Sequence, residues 1–113
     1  MAVDRRQVVE KQPYESFPIE LNFGRSLPLG ATEIVSAEAS AEKWLRKNPE
    51  VKTNATNEIF VNPVPLILEP NKTKILVFLR DGEHNYDYKM TFRVEFDNGS
   101  KLEDEIYLRI REN

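Results

Sequence analysis

The chain has 113 residues, 40% of them apolar and 31% charged, with a net charge of −3 and no cysteine. That size gives one domain with a modest core, and the missing thiols exclude disulfides and thiolate metal sites. The slightly acidic balance argues against nucleic acid as the main partner, because a phosphate backbone calls for a concentrated positive field, and no segment approaches the roughly 20 apolar residues of a membrane span.

Residues 1–13 mix basic and acidic side chains without an apolar run. They do not read as a secretory signal, and the expectation is a flexible arm ahead of a single domain over 14–113. Phe17, Ile19, Leu21 and Phe23 then alternate with Pro18, Glu20 and Asn22, the pattern of a first strand. Pro18 has no N–H for a ladder, which assigns that strand to an edge. Residues 24–30, with two glycines and Pro28, read as a loop.

Residues 32–48 admit two readings. As a strand, Val35, Ala37, Ala39 and Ala41 make one row; as a helix, Ala37, Ala41, Trp44 and Leu45 make a stripe in a segment rich in good helix formers. Strand-forming surroundings favour a strand over 32–41, with one short helix near 36–47 as the alternative. Residues 48–57 are polar, contain Pro49 and read as a loop. The apolar runs 58–61 and 64–69, broken by Pro63, Pro65 and Pro70, predict short or edge strands. Over 73–79 both rows are apolar, the mark of a central strand.

The C-terminal quarter carries the strongest pattern. Tyr86, Tyr88, Met90, Phe92, Val94 and Phe96 alternate with polar residues, Asp97-Asn98-Gly99 makes a turn, and alternation resumes with Leu102, Ile106, Leu108 and Ile110. A two-residue Asn98-Gly99 loop would set buried rows against solvated ones, so parity selects a three-residue loop. Val94 then faces Leu102, Met90 faces Ile106, Tyr88 faces Leu108 and Tyr86 faces Ile110. On the other face Glu95 meets Lys101, Arg93 meets Glu103 and Asp87 meets Arg109, each opposite-charge contact worth roughly 0.2–1 kcal/mol. Gly99 is expected in the left-handed position of a bulged turn. Asp104 falls in the apolar row opposite Phe92, so a sheet margin or a hydrogen bond is expected for it. About seven strands separated by turn signals predict a sandwich or barrel.

Reactive chemistry is sparse. The only histidine, His84, sits in the predicted turn, and neither a Gly-x-Ser-x-Gly elbow nor a glycine-rich phosphate loop occurs; no catalytic, cofactor or metal residue is assigned, and the chain is not expected to be an enzyme. The segment 81–87 spaces oxygen donors at positions one, three, five and seven, as a calcium loop does. Tyr86 stands where that loop needs glycine and Phe92 where it needs the closing glutamate, so a strand-connecting turn is the stronger reading. Within Glu103-Asp104-Glu105, the two glutamates share one strand face and Asp104 the other, which favours a solvated face over an acid/base pair. Trp44, flanked by Lys43, Arg46 and Lys47, is either a core-closing residue or an exposed anchor. Tyr86 and Tyr88 are core-row aromatics before they are a ligand platform. Asn54, Asn71 and Asn98 lie in glycosylation sequons, which carry no expectation without an export signal.

Three stretches resemble one family. The segment Lys11-Gln12-Pro13 through Phe17–Phe23 and Leu27–Ile34, the segment Ile75–Leu79 through Asp81-Gly82 to Tyr88–Thr91, and the ending Val94–Gly99 with Ile106–Arg111 are similar, in order and spacing, to small immunoglobulin-like bacteriophage virion proteins. Ala31 replaces a usual acidic residue, His84-Asn85 replaces a glycine step, and residues 42–72 lie outside the likeness. The resemblance implies an immunoglobulin-like antiparallel β-sandwich in the virion, assembled in the host cytoplasm as a tail or neck structural protein of the fibre–tail adaptor type. Its implied partners are other virion structural proteins and further copies of itself, with no nucleic acid, membrane, small-molecule substrate or cofactor. The alternative is a carbohydrate- or receptor-binding β-sandwich module, which coplanar exposed aromatics (Trp44 with Tyr14 or Tyr107) would favour.

Overall fold

The computed structural model describes residues 2–3 and 8–112, with backbone alone for 2–3. Among the described residues the strands are β1 (Ala2–Val3), β2 (Val8–Lys11), β3 (Phe17–Asn22), β4 (Ile34–Leu45), β5 (Asn48–Asn54), β6 (Leu66–Ile67), β7 (Lys74–Leu79), β8 (Tyr86–Phe96) and β9 (Lys101–Ile110), with one helical turn, α1 (Thr56–Ile59). They form two sheets, of order β1-β3-β7-β6 and β2-β9-β8-β4-β5. In immunoglobulin lettering β3, β7 and β6 stand as strands B, E and D, and β9, β8, β4 and β5 stand as G, F, C and C′. The fold is an immunoglobulin-like β-sandwich. Its pairs are antiparallel except β1 with β3 and β2 with β9, which run parallel.

The C-terminal hairpin has the register that parity demands. Asp87 pairs with Arg109, Tyr88 with Leu108, Met90 with Ile106, Arg93 with Glu103, Val94 with Leu102 and Glu95 with Lys101. Gly99 has φ 85°, its N–H donates to the Phe96 carbonyl at 2.9 Å, and the Phe96 N–H donates to the Ser100 carbonyl at 2.8 Å. Asp104 is buried on the inward row opposite Phe92, and β2 joins β9 only from Tyr107 onward.

The helix alternative at 36–47 is overturned, because β4 runs to Leu45 and fills the space beside β8. Ala37, Ala39 and Ala41 lie against Val94, Phe92 and Met90, so small side chains fit beside large ones. A register shift between Ile34 and Ser36 turns Val35 outward while Ile34 and Ala39 both face the core; Val35 therefore leaves the row expected for it.

β3, expected at an edge, lies between β1 and β7, with the two-residue β1 opposite only Glu20 and Leu21. Three other expectations need correction. Residues 48–54 form β5 rather than a loop, with no buried residue; a strand outside the core leaves no apolar period to read. Its pairing is irregular: Glu42 lies opposite Asn54 and Lys43 opposite Thr53, but Leu45 opposite Asn48. In place of a strand at 58–61, α1 follows a turn in which the Asn54 side chain accepts the Thr56 N–H at 2.9 Å. Consecutive Ile59 and Phe60 are both buried, which a half-buried strand cannot arrange. The second run is strand only at Leu66–Ile67. Finally, β2 converts part of the expected arm into sheet, with Val9 and Lys11 buried; residues 4–7 of that arm lie outside the described residues.

The core lies between the sheets, built on Ile19, Leu21, Ile75, Val77 and Leu79 from one side and Met90, Phe92, Ile106 and Leu108 from the other. Phe60 meets Phe92 edge to face with centroids 6.0 Å apart. β7 is central in its sheet, as its two apolar rows predicted.

Candidate functional site

On the outer face of the larger sheet, alternation places charges in rows across β4, β8 and β9. Arg93 lies between Glu38 at 3.5 Å and Glu103 at 2.6 Å, and Lys89 between Glu42 at 3.4 Å and Glu105 at 3.5 Å. Asp87 reverses the sign, between Arg46 at 3.1 Å and Arg109 at 3.4 Å. Glu103 and Glu105 thus point to solvent with basic partners, while Asp104 faces inward. Trp44 stands on this outer face, edge to face with Tyr107 at 6.4 Å and 75°, with the Lys52 ammonium 5.5 Å from its ring. Two rings nearly perpendicular do not form the coplanar platform a sugar would stack on, and Tyr14, 97% exposed, belongs to the turn after β2.

At the β7–β8 corner sequence reasoning missed a polar cluster. Tyr88, fully buried, donates its hydroxyl proton to Glu58 Oε2 and accepts the Glu83 backbone N–H at 2.9 Å. Burial first, then the bond to Glu58, push the phenol well above its ordinary pKa. Lys43 holds Glu58 at 2.6 Å and also Glu83, and lies 5.0 Å from the Tyr86 ring. Burial works to lower the Lys43 amine, but its bonds to the two glutamates outweigh that and raise it. A tyrosine near the start of the F strand, bonded back to backbone five residues upstream, is the tyrosine corner of immunoglobulin-like domains. Met90, two residues on, stands where such domains in antibodies carry a cysteine. The signal in the sequence is the Tyr88-x-Met90 spacing; nothing local marks Glu58 as its partner.

The oxygen donors of 81–87 are drawn apart. Asp87 Oδ1 is taken by Arg46 and Arg109, Glu83 by Lys43, and His84 Nδ1 accepts the Glu112 N–H at 3.0 Å. Among the described residues no group of three or more His, Cys, Asp or Glu is placed to hold a metal. The segment turns tightly instead: Asp81, Gly82 and Asn85 have φ of 51°, 104° and 73°. The buried Lys11 ammonium ties β2 to this turn, donating to the carbonyls of Gln12 at 2.9 Å, Pro13 at 3.5 Å and Asp81. Burial lowers its pKa, against the charges of Asp81 and Glu15. Of the sequon asparagines, Asn98 spends its amide locally, donating to the Leu29 carbonyl at 3.1 Å and accepting the Ser100 N–H at 3.0 Å.

The smaller sheet presents the opposite surface. β7 sets Leu76 and Phe78 outward; Leu66 lies across from Leu76, Pro18 across from Phe78, and the Val61 N–H bonds the Phe78 carbonyl at 3.0 Å. Val61, Leu66 and Phe78 are 55%, 56% and 44% exposed. These apolar side chains share the outer face of the smaller sheet with Glu20, which lies across from Leu76.

No protein-family model matches the chain, and no curated protein does. Among solved structures it is similar to murine CRIg, with 11% sequence identity, covering 93% of this chain and 92% of that chain at a TM-score of 0.49.

Proposed function

We propose that this chain is a non-enzymatic structural protein of a bacteriophage particle, a tail or neck component that works as an assembly or adaptor module. The observation that carries the reading is the contrast between the two outer faces. The charges of the larger sheet are largely satisfied by their own neighbours, whereas the smaller sheet leaves Val61, Leu66 and Phe78 in water. Burying such side chains against another subunit returns about 25 cal/mol per Å² of apolar surface, which supports that face as the assembly surface. The ordered resemblance to small virion proteins supplies the particle. Mass spectrometry of purified phage encoding the chain tests it: the chain is expected in fixed stoichiometry with tail proteins. Its absence from particles, or a gene set among replication or lysis functions, would overturn the reading.

A further inference from the structure

We propose that the cleft where the β4–β5 turn, the β7–β8 loop and the end of β9 meet binds a carboxylate side chain from an acidic segment of a neighbouring protein. The inference deepens the assembly reading by naming the chemistry of a second contact, and rests on it for the nature of the partner.

The cleft has a volume of about 510 Å³ and is lined by Arg46, His84, Asn85, Arg109, Arg111 and Glu112. Backbone bonds fix its walls: the Arg46 N–H donates to the Asn85 carbonyl at 3.0 Å, and the Arg111 N–H to the Lys11 carbonyl at 2.9 Å. Its unspent groups are mainly donors. Among the described residues Arg109 uses only Nε, on Asp87 at 3.4 Å, so its two terminal nitrogens have no partner there. Arg111 makes one long contact, Nη1 to Glu10 at 3.4 Å, with both side chains 59% exposed. His84 Nδ1 accepts the Glu112 N–H, which leaves the ring proton on Nε2 as a further donor.

The charges of the cleft nearly balance, so its selectivity lies in these open donors. Asp87 Oδ1 serves two guanidinium groups, Arg46 and Arg109, so one positive charge at the floor has no counterion there. Arg111 adds a second, and Glu112 at the rim with Glu10 beyond it balance the two. The result is a near-neutral site in a chain of net charge −3, where the open guanidinium forks, and not a net field, suit one or two carboxylates and nothing favours a polyphosphate.

The chain has a single histidine, so the His84 ring gives one resolved NMR signal inside the cleft. Titration of the isotope-labelled protein with a capped tetraglutamate peptide at low salt is expected to shift the His84 and Asn85 side-chain signals saturably. Half-saturation at or below a few millimolar is expected, weakening at least tenfold in the Arg109→Gln/Arg111→Gln variant. Arg111→Gln alone, which alters only an exposed contact, should weaken binding severalfold while the hairpin signals stay in place. No saturable shift, or the same affinity in the double variant, overturns the site. Inorganic phosphate binding as tightly as the peptide overturns the assignment to a protein segment. Because the readout uses the isolated chain, it stands or falls separately from whether the chain occurs in virions.

Discussion

Replacing Tyr88 by phenylalanine tests whether the corner cluster is a dry, cooperative tie. The ring stays, so the packing of a fully buried side chain is retained. What goes is the hydroxyl that donates to Glu58 and accepts the Glu83 N–H. A hydrogen bond to a charged group contributes about 1.5–3 kcal/mol, and an N–H stripped of its acceptor adds to the loss. Glu58 keeps its contact with Lys43 at 2.6 Å, which offsets part of it. The expected cost is about 2 kcal/mol, which for a domain of this size lowers Tm by about 8 °C. Urea unfolding followed by far-ultraviolet circular dichroism and by Trp44 fluorescence measures it. Glu58→Gln should couple to Tyr88→Phe by about 1 kcal/mol or more in a double-mutant cycle. A loss below about 0.5 kcal/mol for Tyr88→Phe, or additive effects, would refute the argument from burial.

Gly99 has φ 85° and open space around an added Cβ, whereas a Cβ on Gly82 would lie 2.6 Å from Ile110 Cδ1. Gly99→Ala should therefore cost only backbone strain, about 1–2 kcal/mol, and Gly82→Ala clearly more, by urea titration. The Asp97 carboxyl is held down to about 2 by the Thr32 hydroxyl first and then by the backbone N–H groups of Thr32 and Glu33. A depressed carboxyl pKa adds stability that is full above the unfolded value near 4 and vanishes as pH falls through about 2. The Thr32 amide signal should lose its downfield position over that window in the wild type, and show no such transition in Asp97→Asn. Phe78→Ser with Leu66→Ser should leave the monomer's melting temperature within a few degrees, since both side chains are near half exposed. Analytical ultracentrifugation or particle reconstitution should show self-association or incorporation reduced; unchanged assembly would remove the smaller sheet's face as the contact surface.

The hairpin was legible because its two faces meet different solvents. Tyr88, Met90 and Phe92 had to point one way and Lys89, Thr91 and Arg93 the other, and one parity then satisfied both rows. The same logic fails wherever a strand lacks that asymmetry. β5 has no buried residue and so no period, while Ile59 and Phe60 are buried in succession because a helical turn ends between them. In β4 a single bulge at Val35 shifts the phase, so neither strict alternation nor a helical stripe describes it. The cleft and the corner were illegible for another reason. His84, Arg46 and Arg111, like Tyr88 and Glu58, are brought together by pairing between distant segments, and no local pattern encodes such meetings. Lys11 read as arm because a lysine signals solvent; only the carbonyls of the 12–13 and 81 backbone make its burial tolerable.

Between Asn48 and Thr53 the outermost strand of the larger sheet slips register against β4, carries a proline and folds its Lys52 ammonium back onto the Pro49 carbonyl at 3.1 Å. A passing copy therefore finds no continuous row of amides to zip onto. Crowding many copies into a small volume should accordingly drive them into side-on contacts between faces, and not into the endless ribbon of hydrogen-bonded chains from which fibrils grow.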